Sequence, residues 1–67
     1  MNNLIRDMAD AVFIIHQESD KKWVWHLVTP DDETIANSCR GFETEDECRN
    51  DVESVIQYAS TAKILKR

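Results

Sequence analysis

A chain of 67 residues holds one domain at most, and a single core of that size is marginal. Ordering costs about 1.5 kcal/mol per residue, on the order of 100 kcal/mol in all, which nearly cancels the hydrophobic gain. Two cysteines are too few for a disulfide framework or a four-cysteine zinc site, so oligomerisation is the expected supplement. Thirteen Asp and Glu against eight Lys and Arg leave a net charge of -5, which counts against nonspecific nucleic-acid binding and against anionic membrane surfaces. No stretch approaches the roughly 20 apolar residues of a membrane span. Asp7 and Asp10 break the apolar residues near the amino end, which therefore lacks the layout of a signal peptide. The expectation is a cytoplasmic acidic protein with reduced thiols.

In chain order, residues 1–10 carry Leu4, Ile5 and Met8 at helical spacing, too short a piece to be stable alone, and read as an extension of a domain at 11–67. Val12, Phe13, Ile14 and Ile15 favour a first strand, and Ser19 to Lys22 a turn. Trp23-Val24-Trp25-His26-Leu27 is a second strand with two tryptophans and a leucine on one face. A three-residue loop at Asp20–Lys22 pairs Gln17 with Trp25 and Ile15 with Leu27, which places Phe13 and Ile15 on the tryptophan face. The same register sets Val12, Ile14, His16, Val24, His26 and Val28 on the other face, unusually apolar for an open one.

Pro30 to Glu33 is a second turn, and Thr34 to Cys39 a third strand. A two-residue loop at Asp31-Asp32 brings Ala36 beside Leu27 and Ser38 beside Trp25, leaving room for a helix. Arg40-Gly41 is a break and Phe42 an anchor. Thr44 followed by Glu47 reads as a capping box. Cys48, Val52, Val55, Ile56 and Ala59 make an apolar stripe to lie on the tryptophans. Thr61 to Lys66 has strand character and must find a sheet edge, its own or a partner's. The expected fold is α+β in the order β-β-β-α-β, an antiparallel sheet with one helix on the Trp23/Trp25 face.

The alternation Trp23, Trp25, Leu27, then Glu33-Thr34-Ile35-Ala36 leading to Ser38, Phe42 ahead of Thr44, small Cys48, Val52 and Val55, and Thr61-Ala62-Lys63 resemble the YegP-like family. That family is a small domain of unknown function occurring as single copies or tandem repeats, and the likeness runs from about Phe13 to Ile64. It implies two copies joined into one continuous sheet with their last strands exchanged. For a chain with one copy it therefore implies a homodimer, with Thr61, Ala62, Ile64 and Leu65 at the interface. It implies no catalytic residues. Two departures stand out: Asp31-Asp32 replaces an Asn-Gly type turn, and Val24 replaces a residue that is often basic.

Of the chemistry-bearing residues, His16 and His26 are expected as cross-strand neighbours with Cys39 on the same side, a conceivable zinc or copper set without a fourth ligand. Two surface histidines are the plainer reading. Cys48 reads as a small core residue. The tryptophans lack the interleaved Lys and Arg of a base-stacking face, and Glu43, Glu45, Asp46 and Glu47 lack the spacing of a calcium loop. No Ser-His-Asp set or phosphate-binding glycine loop can be assembled. The first reading is a non-enzymatic homodimeric binding or structural module without cofactor. The second is a small-ligand or metal binder using the His16/His26 face.

Overall fold

The alternating apolar residues of the first half build an antiparallel sheet, which the computed structural model describes together with the rest of residues 11–67. Strands β1 (Val12–Gln17), β2 (Trp23–Val28) and β3 (Thr34–Asn37) lie in that spatial order, and helix α1 (Glu45–Ala59) follows. This is an α+β fold in the order β-β-β-α. The expected N-terminal extension, 1–10, lies outside the described residues.

The first hairpin has the expected loop length but not the expected position. Lys21 N–H donates to Glu18 O and Glu18 N–H to Lys22 O, so the loop is Ser19–Asp20–Lys21, one residue earlier than expected. Lys21 takes a left-handed conformation, φ 72°, and the Asp20 side chain accepts from Lys22 N–H, the usual help an aspartate gives a turn. The pairing consequently shifts by two residues: Gln17 faces Trp23, Ile15 faces Trp25 and Phe13 faces Leu27. Because side chains alternate with period two, a shift of two leaves every residue on its expected face.

The second hairpin closes by the same device. Asp32 N–H donates to Thr29 O, Thr29 N–H to Glu33 O, and Asp32 has φ 68°, so the loop holds Pro30, Asp31 and Asp32 rather than two residues. A shift in register between Leu27 and Val28 then leaves Ile35 as an extra residue on β3, a β-bulge. The longer loop and the bulge offset one another, and Ala36 faces Leu27 as expected. Without the bulge, Ile35 and Asn37 would occupy the tryptophan side. With it, small side chains do, and Ser38 bonds Trp25 through both its N–H and its hydroxyl.

The chain returns to β2 once more, since Trp23 and Phe42 exchange both backbone hydrogen bonds at 2.8 Å. Gly41 makes this approach sterically feasible: a Cβ there would lie 2.6 Å from Lys22 Cβ. Thr44 caps α1, its hydroxyl accepting from Glu47 N–H at 3.1 Å. Glu47 reaches back to the N–H of Glu43, a variant of the capping box that satisfies one more free donor. Three acids in the first turn suit the positive end of the helix dipole.

Trp25, Phe42, Cys48 and Val52 are buried, with Phe13, Ile15, Trp23, Leu27, Ala36 and Val55 packed around them. The Phe13 ring meets Trp25 edge on, centroids 5.3 Å apart, an arrangement favoured by the ring quadrupoles. The helix stripe is narrower than the sequence suggests: Ile56 is 52% exposed and Ala59 is also exposed. After Ser60 the described chain joins no strand of its own sheet. The expected fourth strand is thus not formed among the described residues.

Candidate functional site

The face of the sheet away from α1 carries Val12, Ile14, His16, Val24, His26 and Val28, all partly or largely accessible. The register pairs Ile14 with His26 and His16 with Val24, so the histidines are diagonal neighbours rather than directly opposed. Their rings meet all the same. The two Nε2 atoms are 3.0 Å apart, the centroids 5.0 Å apart and the planes inclined by 16°. The rings are therefore nearly parallel, with their Nε2 atoms in contact.

Cys39, the third expected ligand, is exposed. It lines an open hollow of about 320 Å³ with His26, Val24 and Asn37, but among the described residues no group of three His, Cys, Asp or Glu converges closely enough to hold a metal. The expected trio is therefore a pair. Cys48 is fully buried, and burial, reinforced by the nearby charges of Asp51 and Glu45, pushes its thiol up. It is the core residue its stripe position suggests, and the two cysteines are both free.

The four residues expected at a dimer interface, Thr61, Ala62, Ile64 and Leu65, are all exposed. Thr61 and Ala62 donate to Tyr58 O and Ala59 O, tightening the end of the helix. Ile64 and Leu65 then stand in solvent at 101% and 74% exposure.

Two features escaped the sequence reading. Asp51 accepts a hydrogen bond from Trp25 Nε1 at 2.7 Å, tying the central tryptophan to the helix. It falls at i+3 from Cys48, inside the arc that faces the sheet, and a carboxylate there signals a donor waiting beneath it. Lys22 pairs with Glu43, and the hydrogen bond and charge of that carboxylate raise the lysine above its ordinary value. This pair fastens the first loop to the segment ahead of the helix. Beside it lies a second open hollow of about 500 Å³, lined by Arg40, Phe42, Glu47, Asn50 and Asp51 among others. Arg40 stacks over the Phe42 ring at 4.9 Å.

Residues 18–65 match the family described as a domain of unknown function, DUF1508, and the match takes in both β2 tryptophans, the Phe42 bridge and the whole helix. The chain belongs to the YegP-like family. Its fold is similar to that of a protein from Haloferax volcanii solved by NMR in solution, with a TM-score of 0.78 and 25% identity over 90% of this chain and all of that one. No curated protein matches the sequence. Membership of this family identifies a domain of unknown function and leaves its activity unassigned. Among the described residues no helix is long and apolar enough to cross a membrane.

Proposed function

We propose that the chain is a non-enzymatic binding or structural module that works as a homodimer, each copy donating Thr61–Lys66 to the sheet of the other. The observation that carries this reading is the C-terminal segment, in which Ile64 and Leu65 are exposed beyond a helix whose own Ile56 and Tyr58 are 52% and 70% exposed. Apolar side chains left so on a strand-forming segment seek an edge to complete. Core size supports the same reading: among the described residues four side chains are buried in one copy, a small return against the cost of ordering the chain. Strand β1 is an edge of the described sheet, six residues long without a bulge, and matches the donated segment in length. A closed exchange between two copies uses the same patch on each and does not propagate.

Such a module needs no cofactor, and its net charge of -5 disfavours nucleic acid as its partner. We place it in the cytoplasm, where Cys39 and Cys48 stay reduced as the free thiols they are here.

The test is solution mass by light scattering across a dilution series, on the full chain and on a chain ending at Ser60. The full chain is expected at twice 7.8 kDa over the series, and the shortened chain as an unfolded or aggregating monomer. A full chain that stays monomeric, or a shortened chain that is folded and monomeric, overturns the proposal.

A further inference from the structure

The pair of histidines on the open sheet face has a geometry that neither core packing nor the exchanged dimer requires. Their Nε2 atoms stand 3.0 Å apart in nearly parallel rings, so two imidazole nitrogens are presented side by side at one point on the sheet face. In the neutral pair one Nε2–H donates to the other Nε2. We propose that this point is a binding site for a divalent transition-metal ion, zinc or copper, held by His16 and His26 as a two-imidazole clamp.

Distance supports the assignment. Two Zn–N bonds of about 2.0–2.1 Å meeting at a tetrahedral angle span about 3.3–3.4 Å, so the rings need to separate by only a few tenths of an ångström. His16 is exposed and His26 half-buried, which leaves the side chains room for that adjustment. The paired strands beneath fix both backbones, so only the side chains need ordering on binding. Proton balance is simple: the Nε2 proton of the donor ring moves to its own Nδ1, both Nε2 lone pairs go to the metal, and no proton is released from the neutral pair.

Ligand type narrows the metal. Neutral imidazoles suit zinc, copper and nickel, with copper(II) the strongest of the divalent series. Among the described residues no third His, Cys, Asp or Glu completes the set, so solvent fills the other positions and the site exchanges its ion readily. The hollow of about 320 Å³ that His26 lines gives a small ligand access to those positions. The net charge of -5 raises the local concentration of cations. Both ligands come from one copy of the chain.

The experiment is a zinc titration of the reduced full-length protein by calorimetry, repeated on His16→Gln, His26→Gln and Cys39→Ser. One zinc per chain is expected for the unsubstituted protein and for Cys39→Ser, with affinity lower by about tenfold or more in either histidine variant, as loss of half the donor set requires. Imidazole NMR signals of the unsubstituted protein give an independent reading that no folding defect can mimic: both His16 and His26 should shift at one equivalent. Unchanged affinity in a histidine variant, loss of binding in Cys39→Ser, imidazole signals that do not move, or no binding at millimolar zinc would each overturn the proposal.

Discussion

Removing the Asp51 carboxylate probes the contact that joins sheet to helix. Trp25 is 5% exposed, and its Nε1–H donates to Asp51 Oδ2 at 2.7 Å. A hydrogen bond to a charged acceptor contributes about 1.5–3 kcal/mol, and a buried donor left unmet loses that contribution. Asp51→Ala also gains about 0.5 kcal/mol, since alanine is the better residue within a helix. The net expected loss is therefore about 1–2.5 kcal/mol, centred near 10 °C in Tm for a domain of this size. Asp51→Asn keeps a neutral acceptor and should lose about half as much. The assay is thermal and urea unfolding at one fixed protein concentration, because assembly makes Tm concentration-dependent. A double-mutant cycle isolates the pair: in the Trp25→Phe background Asp51→Ala should cost nothing and recover its helical gain, a coupling of about 2 kcal/mol. A coupling below about 0.5 kcal/mol, the size seen between unconnected sites, would refute the assignment.

Gly41→Ala places a methyl 2.6 Å from Lys22 Cβ, where neither partner is a flexible chain end, and should cost about 1–3 kcal/mol as an overpacked contact; amide exchange at Trp23 and Phe42 should quicken with it. Thr44→Ala removes the acceptor of Glu47 N–H and is expected to cost about 1 kcal/mol in urea unfolding, whereas Thr44→Ser should be nearly neutral. A thiol-reactive dye should label one cysteine in the folded protein, exposed Cys39, and both after unfolding, because Cys48 is fully buried. The Cys48 thiol is raised in the folded state, so the folded form holds its proton longer than the unfolded form. Its contribution is complete below about pH 8.5 and lost as pH rises through the raised folded value; unfolding at pH 8 and pH 10, compared with Cys48→Ala, measures that slope.

Strand and helix identities were legible because their residues speak locally. Val12 to Ile15 and the Trp23–Leu27 alternation favour extended chain, and Thr44 with Glu47 marks the helix start. Facing was legible too, since period two survives the shift of two residues that misplaced the first loop. The loops themselves were not: Lys21 and Asp32 adopt positive φ without glycine, so the usual marker of a left-handed position is missing from the sequence. The one glycine is used instead for the close approach to Lys22, a long-range constraint that reading residue by residue does not reveal. His16 and His26 were correctly expected to meet, although through a diagonal and not a direct pairing. Cys39 did not join them, because its strand ends at Asn37 and the chain then turns toward Phe42.

The bulge at Ile35 makes the third strand a choice between two alignments with different membership of the core. Sliding β3 by one residue would exchange Ala36 and Ser38 for Ile35 and Asn37 above the tryptophans. The slid form would shelter an isoleucine that is now 57% exposed, so apolar burial alone does not exclude it. What opposes it is polar: the slide would bring an amide beneath the helix and forfeit the serine hydroxyl that receives Trp25 N–H. Asn37 and Ser38 thus act as a combination lock on a hairpin whose greasy residues are indifferent to the setting, and uniqueness in this small sheet rests on two uncharged polar side chains.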